Sequence, residues 1–177
     1  MAGRGPAGLS RSARTIEVVP TPDFVLDLRE KIGHELLWLS GVTAVVLRPG
    51  SAGDEVLLVR RADNGAWTPV TGIIDPGEEP AVAGAREVLE EAEVVAVAEQ
   101  LAWVHSLPPM TYANGDRSQY LDLTFRFRWV SGEPGPGDGE NTDARWFPVD
   151  AMPEMSAEMR ARVAHALAPE PVTRFVV

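Results

Sequence analysis

The stretch from Gly72 to Val94, GIIDPGEEPAVAGAREVLEEAEV, constrains this chain more than any other. Pro76-Gly77 forms a turn, and Pro80 suits the first turn of a helix, where its missing N–H costs no hydrogen bond. A helix is therefore predicted from residue 79 or 80 to about residue 92. Val82, Ala85, Val88, Leu89 and Ala92 give it an apolar flank, so it is predicted to pack on a core. Glu87, Glu90 and Glu91 are three and four apart and converge on the other flank.

Without a counter-ion that flank is unfavourable. Each like-charge pair at this spacing costs roughly 0.2–0.5 kcal/mol, and a carboxylate late in a helix opposes the macrodipole by about 0.3–1 kcal/mol. A cation between the carboxylates would offset both, and oxygen-only ligands suit Mg²⁺, with Mn²⁺ as the near substitute. Arg86 follows Glu78 by eight residues, a spacing at which an Arg–carboxylate pair pins the loop to the helix. A solvent-facing acidic helix would show the same charge spacing; the loop before it tips the balance.

Loop and helix together resemble the Nudix box, the signature of the Nudix (MutT-like) hydrolases. Gly72 stands at its first glycine and Glu78 at its first glutamate, and Arg86, Glu87, Val88, Glu90, Glu91 and Val94 match the remainder. Glu93 departs, standing where the pattern has glycine, and a different exit from the helix is expected there at about 1 kcal/mol. Val70-Thr71 also replaces the residues usual before the box. The resemblance implies an α/β fold, a Nudix-type α/β/α sandwich with a mixed central sheet. It implies metal contacts by Glu87, Glu91 and Glu90, with the Gly72 carbonyl as an additional ligand, and Mg²⁺ (or Mn²⁺) as cofactor. Glu78 and Arg86 are the structural support. Glu87, Glu90 and Glu140 form the catalytic set, with activation of water open between Glu87 and Glu140.

At 177 residues one domain is expected, with residues 1–14 disordered, 15–38 an N-terminal helical extension, 39–168 the Nudix domain and 169–177 a tail. The absence of cysteine excludes a disulfide scaffold, thiol catalysis and cysteine-bound zinc. No apolar run approaches the ~20 residues of a membrane span, and no signal-like segment follows Met1, so a cytoplasmic protein is expected. A net charge of −10 without a basic patch disfavours general nucleic-acid binding. The expected partner is a small nucleotide, with a homodimer interface as one use of the extension.

Phe24, Leu28, Ile32, Leu36 and Leu37 recur at helical spacing, which predicts one helix, or two short turns broken at Gly33-His34. His34 reads as a surface or locally hydrogen-bonded residue. VTAVVLRP and EVLLVRR, separated by Gly53-Asp54, predict a hairpin or adjacent strands, and residues 94–104 a further strand. Residues 120–130 alternate, with Leu121, Leu123, Phe125, Phe127 and Trp129 against Asp122, Thr124, Arg126 and Arg128, which predicts a half-buried strand. Residues 131–141 form a loop carrying Glu133, Asp138 and Glu140 toward a cleft. Ala151 to Leu167 is predicted helical, with Met155, Met159, Val163 and Leu167 as packing residues.

Specificity must come from outside the box. Trp103, His105, Tyr112, Asn114, Arg117, Gln119 and Tyr120 offer stacking surfaces and donors, and Arg117 suits a phosphate, Asp116 or a box carboxylate. The resemblance implies hydrolysis of a nucleoside diphosphate linked to another moiety, first an ADP-ribose-like nucleotide sugar or dinucleotide. A (d)NTP pyrophosphatase, including nucleotide-pool sanitation, is the alternative, and a non-catalytic nucleotide sensor or structural protein the third reading.

Overall fold

The computed structural model describes residues 21–137 and 139–176, so the 1–14 segment and Asp138 lie outside the described residues. Helix α1 spans Asp23–Ile32, followed by strands β1 (Leu37–Pro49), β2 (Asp54–Arg61), β3 (Trp67–Thr68) and β4 (Val70–Ile73). Helix α2 (Pro80–Ala92) leads to β5 (Val95–Ser106), β6 (Met110–Thr111), β7 (Arg117–Ser131) and β8 (Asn141–Pro148). Helix α3 (Ala157–Ala166) and β9 (Arg174–Phe175) complete the order.

The strands form one mixed sheet in the order β3-β2-β1-β7-β5-β9, with β4 beside β1, β6 beside β7 and β8 beside β2. β1 runs parallel to β7 from Leu37↔Ser118 to Leu47↔Arg128 and antiparallel to its hairpin partner β2. Every residue of β1 from Gly41 to Leu47 is buried, as expected of a central strand covered on both faces. Ala44, Val46, Leu57, Val59 and Phe127 meet Val88 and Ala92 of α2. The alternate residues Val45, Leu47, Val56 and Leu58 meet Val163 and Ala166 of α3. Period-2 alternation thus sends neighbouring residues to opposite helices, which gives the α/β/α sandwich.

Several sequence readings change. Of the two readings for residues 24–37, the break at Gly33 holds, since Gly33 takes a φ of +59° that few other residues adopt and α1 stops at Ile32, but no second helical turn reaches Leu37, which opens β1. α3 starts at Ala157 rather than Ala151, where the Ser156 side chain accepts the Met159 N–H at 3.2 Å. β7 is not half-buried: Asp122 and Thr124 on its polar side are buried beneath α3. They are tolerated because they are bonded. Asp122 accepts from Thr43 (2.8 Å), Thr124 (2.7 Å) and the buried Arg162 (3.0 Å), and Arg162 also donates to Glu158 (2.7 Å).

The buried stripe of α2 is also rotated from the predicted one. Ala83, Gly84, Val88, Glu91 and Ala92 face the sheet, whereas Val82 and Leu89 are exposed. A Cβ on Gly84 would lie 2.7 Å from the Phe127 ring, so this helix seats closer to the sheet than a larger residue would allow. The rotation carries Glu91 into the interior.

Candidate active site

The loop before α2 is held by one guanidinium. Arg86 donates to both oxygens of Glu78 (each 3.0 Å) and to the Ile73 carbonyl (3.3 Å), closing the loop onto the helix. Its remaining nitrogen reaches Glu87 and Glu90, each at 3.0 Å. The same fork that pins the loop therefore also sets two of the acidic side chains. It holds the Glu78 carboxyl below its usual range, and the Glu78 hydrogen bond holds Arg86 firmly protonated.

The three glutamates are not equivalent. The Glu87 side chain is only 13% exposed and Glu91 is buried, while Glu90 is half exposed. Glu87 lies directly over Gly72, where a Cβ would overlap its carboxyl group. Burial pushes the Glu87 carboxyl up to about 7, Arg86 only partly offsetting it, with Glu90 and Glu140 adding like charge. This is a carboxylate short of positive charge.

Glu91 is anchored from the far side, accepting from Asn141 Nδ2 at 2.7 Å in a buried contact. Beside it lies Arg61, whose hydrogen bond to Asp63 and whose neighbours Glu91 and Glu140 hold it charged. Glu140 is tied to the end of β2, its carbonyl accepting the Ala62 N–H at 2.9 Å. Asn141 and Arg61 were not singled out from sequence. They meet because β2 pairs β8 and a register shift falls at Arg60/Arg61, opposite Asn141. No local pattern carried that pairing.

At the C-terminus of α2, Glu93 itself adopts the left-handed conformation, φ 57° and ψ 23°, that a box glycine would take. The expected different exit does not occur. The chain carries the strain of a non-glycine residue there, and the loop after β7 reinforces the turn: Gly135 and Gly137 N–H donate to the Ala92 and Glu91 carbonyls, both at 3.2 Å.

The donor set is that of a hard divalent cation: carboxylates, a nearby main-chain carbonyl and no sulfur or imidazole. Among the described residues no three acidic or histidine groups already stand as a closed metal cluster, and the Arg86 guanidinium reaches both Glu87 and Glu90. The chemistry of the site fits such an ion through the buried, charge-deficient Glu87 and its like-charged neighbours.

The residues predicted to bind substrate divide into two groups. Trp103 and His105 stack at 3.5 Å between ring centroids and lie under α3, against His165 and Glu158, on the face opposite α2. Gln119 is committed to the Leu107 carbonyl (3.0 Å), and Arg117 is exposed. Tyr112 and Tyr120 are joined hydroxyl to hydroxyl at 2.8 Å. The Tyr120 ring lies 3.3 Å from where a Gly41 Cβ would be, beside Asp122 on the α3 face of the sheet, opposite the face where Glu87 covers Gly72. Asn114 and His34 both bond Asp116, the local use expected of His34.

A loop and helix with this arrangement, on a mixed sheet between two helical layers, define a Nudix-type domain. The NUDIX domain family matches residues 38–167, and the chain belongs to that family. It is 35% identical over 108 residues to the NAD-capped RNA hydrolase NudC of Pseudomonas aeruginosa (strain LESB58), covering 60% of this chain and 36% of NudC. The chain thus spans little more than a third of the first relatives it matches. A MutT-like protein of Streptomyces ambofaciens is 32% identical over 120 residues, covering 68% of this chain and 70% of its own. Among solved structures, a UDP-X diphosphatase aligns with a TM-score of 0.58 at 19% identity, over 81% of this chain and 68% of its own. An ADP-ribose pyrophosphatase of Streptococcus suis aligns at 0.56 and 19%, over 78% and 98%. The structural likenesses support the fold.

Proposed function

We propose that the protein is a Mg²⁺-dependent hydrolase that cleaves the pyrophosphate bond of a nucleoside diphosphate linked to a second moiety, an ADP-ribose-like nucleotide sugar or a dinucleotide. The observation that carries this is the pair of inward-turned carboxylates, Glu87 over Gly72 and Glu91 on Asn141, on a helix whose loop is locked by Arg86. Glu87, Glu91 and the Gly72 carbonyl, with Glu90, would hold the ion, which when bound neutralises pyrophosphate charge and lowers the pKa of water. Arg86 orients Glu87 and Glu90, and Arg61 supplies a fixed positive charge beside Glu91. Proton removal from water falls to Glu87 or to Glu140, which is near enough to raise the Glu87 pKa.

The action of NudC on NAD-capped RNA supports a dinucleotide-type pyrophosphate as the bond recognised. The net charge of −10 favours a small nucleotide over RNA. No described helix is long and apolar enough to cross a membrane; a cytoplasmic protein, self-associating through its N-terminal extension, where Leu26 and Leu36 are exposed, completes the proposal.

The test is Glu91→Gln. It keeps the acceptor for Asn141 and removes the charge, and it is expected to lower Mg²⁺-dependent turnover at least a hundredfold with an unchanged melting temperature. Near-normal turnover in the folded variant would overturn the metal assignment. Wild-type protein is screened against ADP-ribose, NADH, nucleotide sugars, dinucleoside polyphosphates and (d)NTPs. AMP with ribose phosphate as products supports the leading reading, and NMP with pyrophosphate replaces it with the (d)NTP reading.

A further inference from the structure

Helix α1 precedes the matched NUDIX span yet is fixed to the domain. Arg29 donates to the carbonyls of Gly33 (3.1 Å), Glu35 (2.6 Å) and Arg117 (2.7 Å) and to Ser118 Oγ (3.0 Å). This clasp leaves a groove of about 430 Å³ between α1, the start of β1 and the Asp75–Pro80 turn. That is the size of a small-molecule site. Phe24, Trp38, Ser40, Asp75, Glu78 and Leu123 are among its walls.

We infer that this groove receives the nucleobase of the substrate, stacked on the Trp38 indole, so that Trp38 and Phe24 determine specificity. The inference rests on the nucleotide hydrolase reading above. Trp38 is 53% exposed, a large stacking surface on which no ring of the described residues lies. None of the described residues lining the groove is Lys, Arg or His, so it does not suit a phosphate. With Glu78 committed to Arg86, the Asp75 carboxylate and the Ser40 hydroxyl offer acceptors to the N–H groups of a base.

The groove is tied to the acidic site through hydrogen bonds. Glu78 lines it and holds Arg86, which in turn holds Glu87 and Glu90. Trp38 and Val42 share a face of β1, and Val42 pairs with Gly72. Four residues of strand span about 13 Å, comparable with the reach of a nucleoside diphosphate from base to phosphates.

The test compares full-length wild type, Trp38→Ala and Trp38→Phe on ADP-ribose and on 5-phosphoribosyl 1-pyrophosphate, which has no base. Trp38→Ala should raise KM for ADP-ribose roughly tenfold or more, with kcat within about twofold. Trp38→Phe should recover most of that loss, and the base-free substrate should be unaffected. Equal losses on both substrates, or no loss on either, would overturn the inference. If wild type hydrolyses no pyrophosphate, the hydrolase reading fails on its own, and equilibrium binding of AMP and ribose 5-phosphate decides the groove. AMP affinity that falls about tenfold in Trp38→Ala, with ribose 5-phosphate unchanged, supports it; AMP binding that ignores the substitution, or no AMP binding at all, overturns it.

Discussion

Gly72→Ala tests the contact that joins the sheet to the acidic helix. Gly72 is not among the positive-φ glycines, so backbone freedom does not require it. What requires it is space, since an added Cβ overlaps Cγ, Cδ and Oε1 of Glu87. Two relaxations are available. Glu87 can leave its rotamer, losing the 3.0 Å bond from Arg86, or β4 can shift against β1 at the Val42–Gly72 pair. Overpacking of this kind costs about 1–3 kcal/mol, and 2 kcal/mol lowers the melting temperature of a chain this size by about 4–8 °C. In a Glu87→Ala background the obstacle is gone, and Gly72→Ala should then be neutral or gain roughly 0.4–1 kcal/mol through the unfolded state. The assay is urea unfolding of wild type, both single variants and the double variant without added metal. A coupling energy below about 0.5 kcal/mol would mean that the two sites act independently and would refute the reasoning.

Three further predictions follow from the same structure. Glu93→Gly should stabilise the protein by about 0.5–1 kcal/mol, the relief of a left-handed glutamate less the entropy of glycine; calorimetry showing a loss would contradict the cap assignment. The Glu87 carboxyl is raised from its usual 4.5 to about 7, so between those pH values the folded state binds more protons than the unfolded state. Stability of metal-free protein should therefore fall as pH rises from about 4.5 to 7, by roughly 3 kcal/mol at most. Added Mg²⁺ should stabilise more at pH 8 than at pH 5; a flat metal-free profile across that window would count against the buried, charge-deficient Glu87. Asp122→Ala should cost about 3 kcal/mol by denaturant unfolding, because buried Arg162 keeps only Glu158 as counter-charge. A change within 1 kcal/mol would show that the pair contributes little.

The parts legible in the sequence were those with local physical signals. Pro80 set the start of α2, the Gly53-Asp54 turn set the β1–β2 hairpin, and alternation identified β7. What was not legible depends on partners distant along the chain. Asp122 and Thr124 looked solvent-facing because alternation marks polarity, and only the arrival of Arg162 from α3 makes their burial tolerable. The rotation of α2 followed from close seating at Gly84, which exposed Leu89 and buried Glu91. Arg61 and Asn141 joined the site only through the pairing of β2 with β8. Trp103, His105 and Tyr120 do share a face of the sheet, the one that carries Asp122 and Thr124, but it is the α3 face, away from the acidic helix.

The long loop after β7 gives the acidic helix a second source of balance. Glu90 and Glu91 occupy the last turn of α2, where the macrodipole opposes carboxylates by about 0.3–1 kcal/mol each. Two loop N–H groups, from Gly135 and Gly137, donate to carbonyls at that same end. A Cβ at Gly137 would overlap the Glu90 carbonyl, so the chain can approach this closely only as glycine. The segment then continues through Glu140 into Asn141, which binds Glu91. Satisfying the helix end and delivering Glu140 and Asn141 are thus one structural act, and shortening the loop would disturb the acidic cluster through the helix terminus even with every glutamate retained.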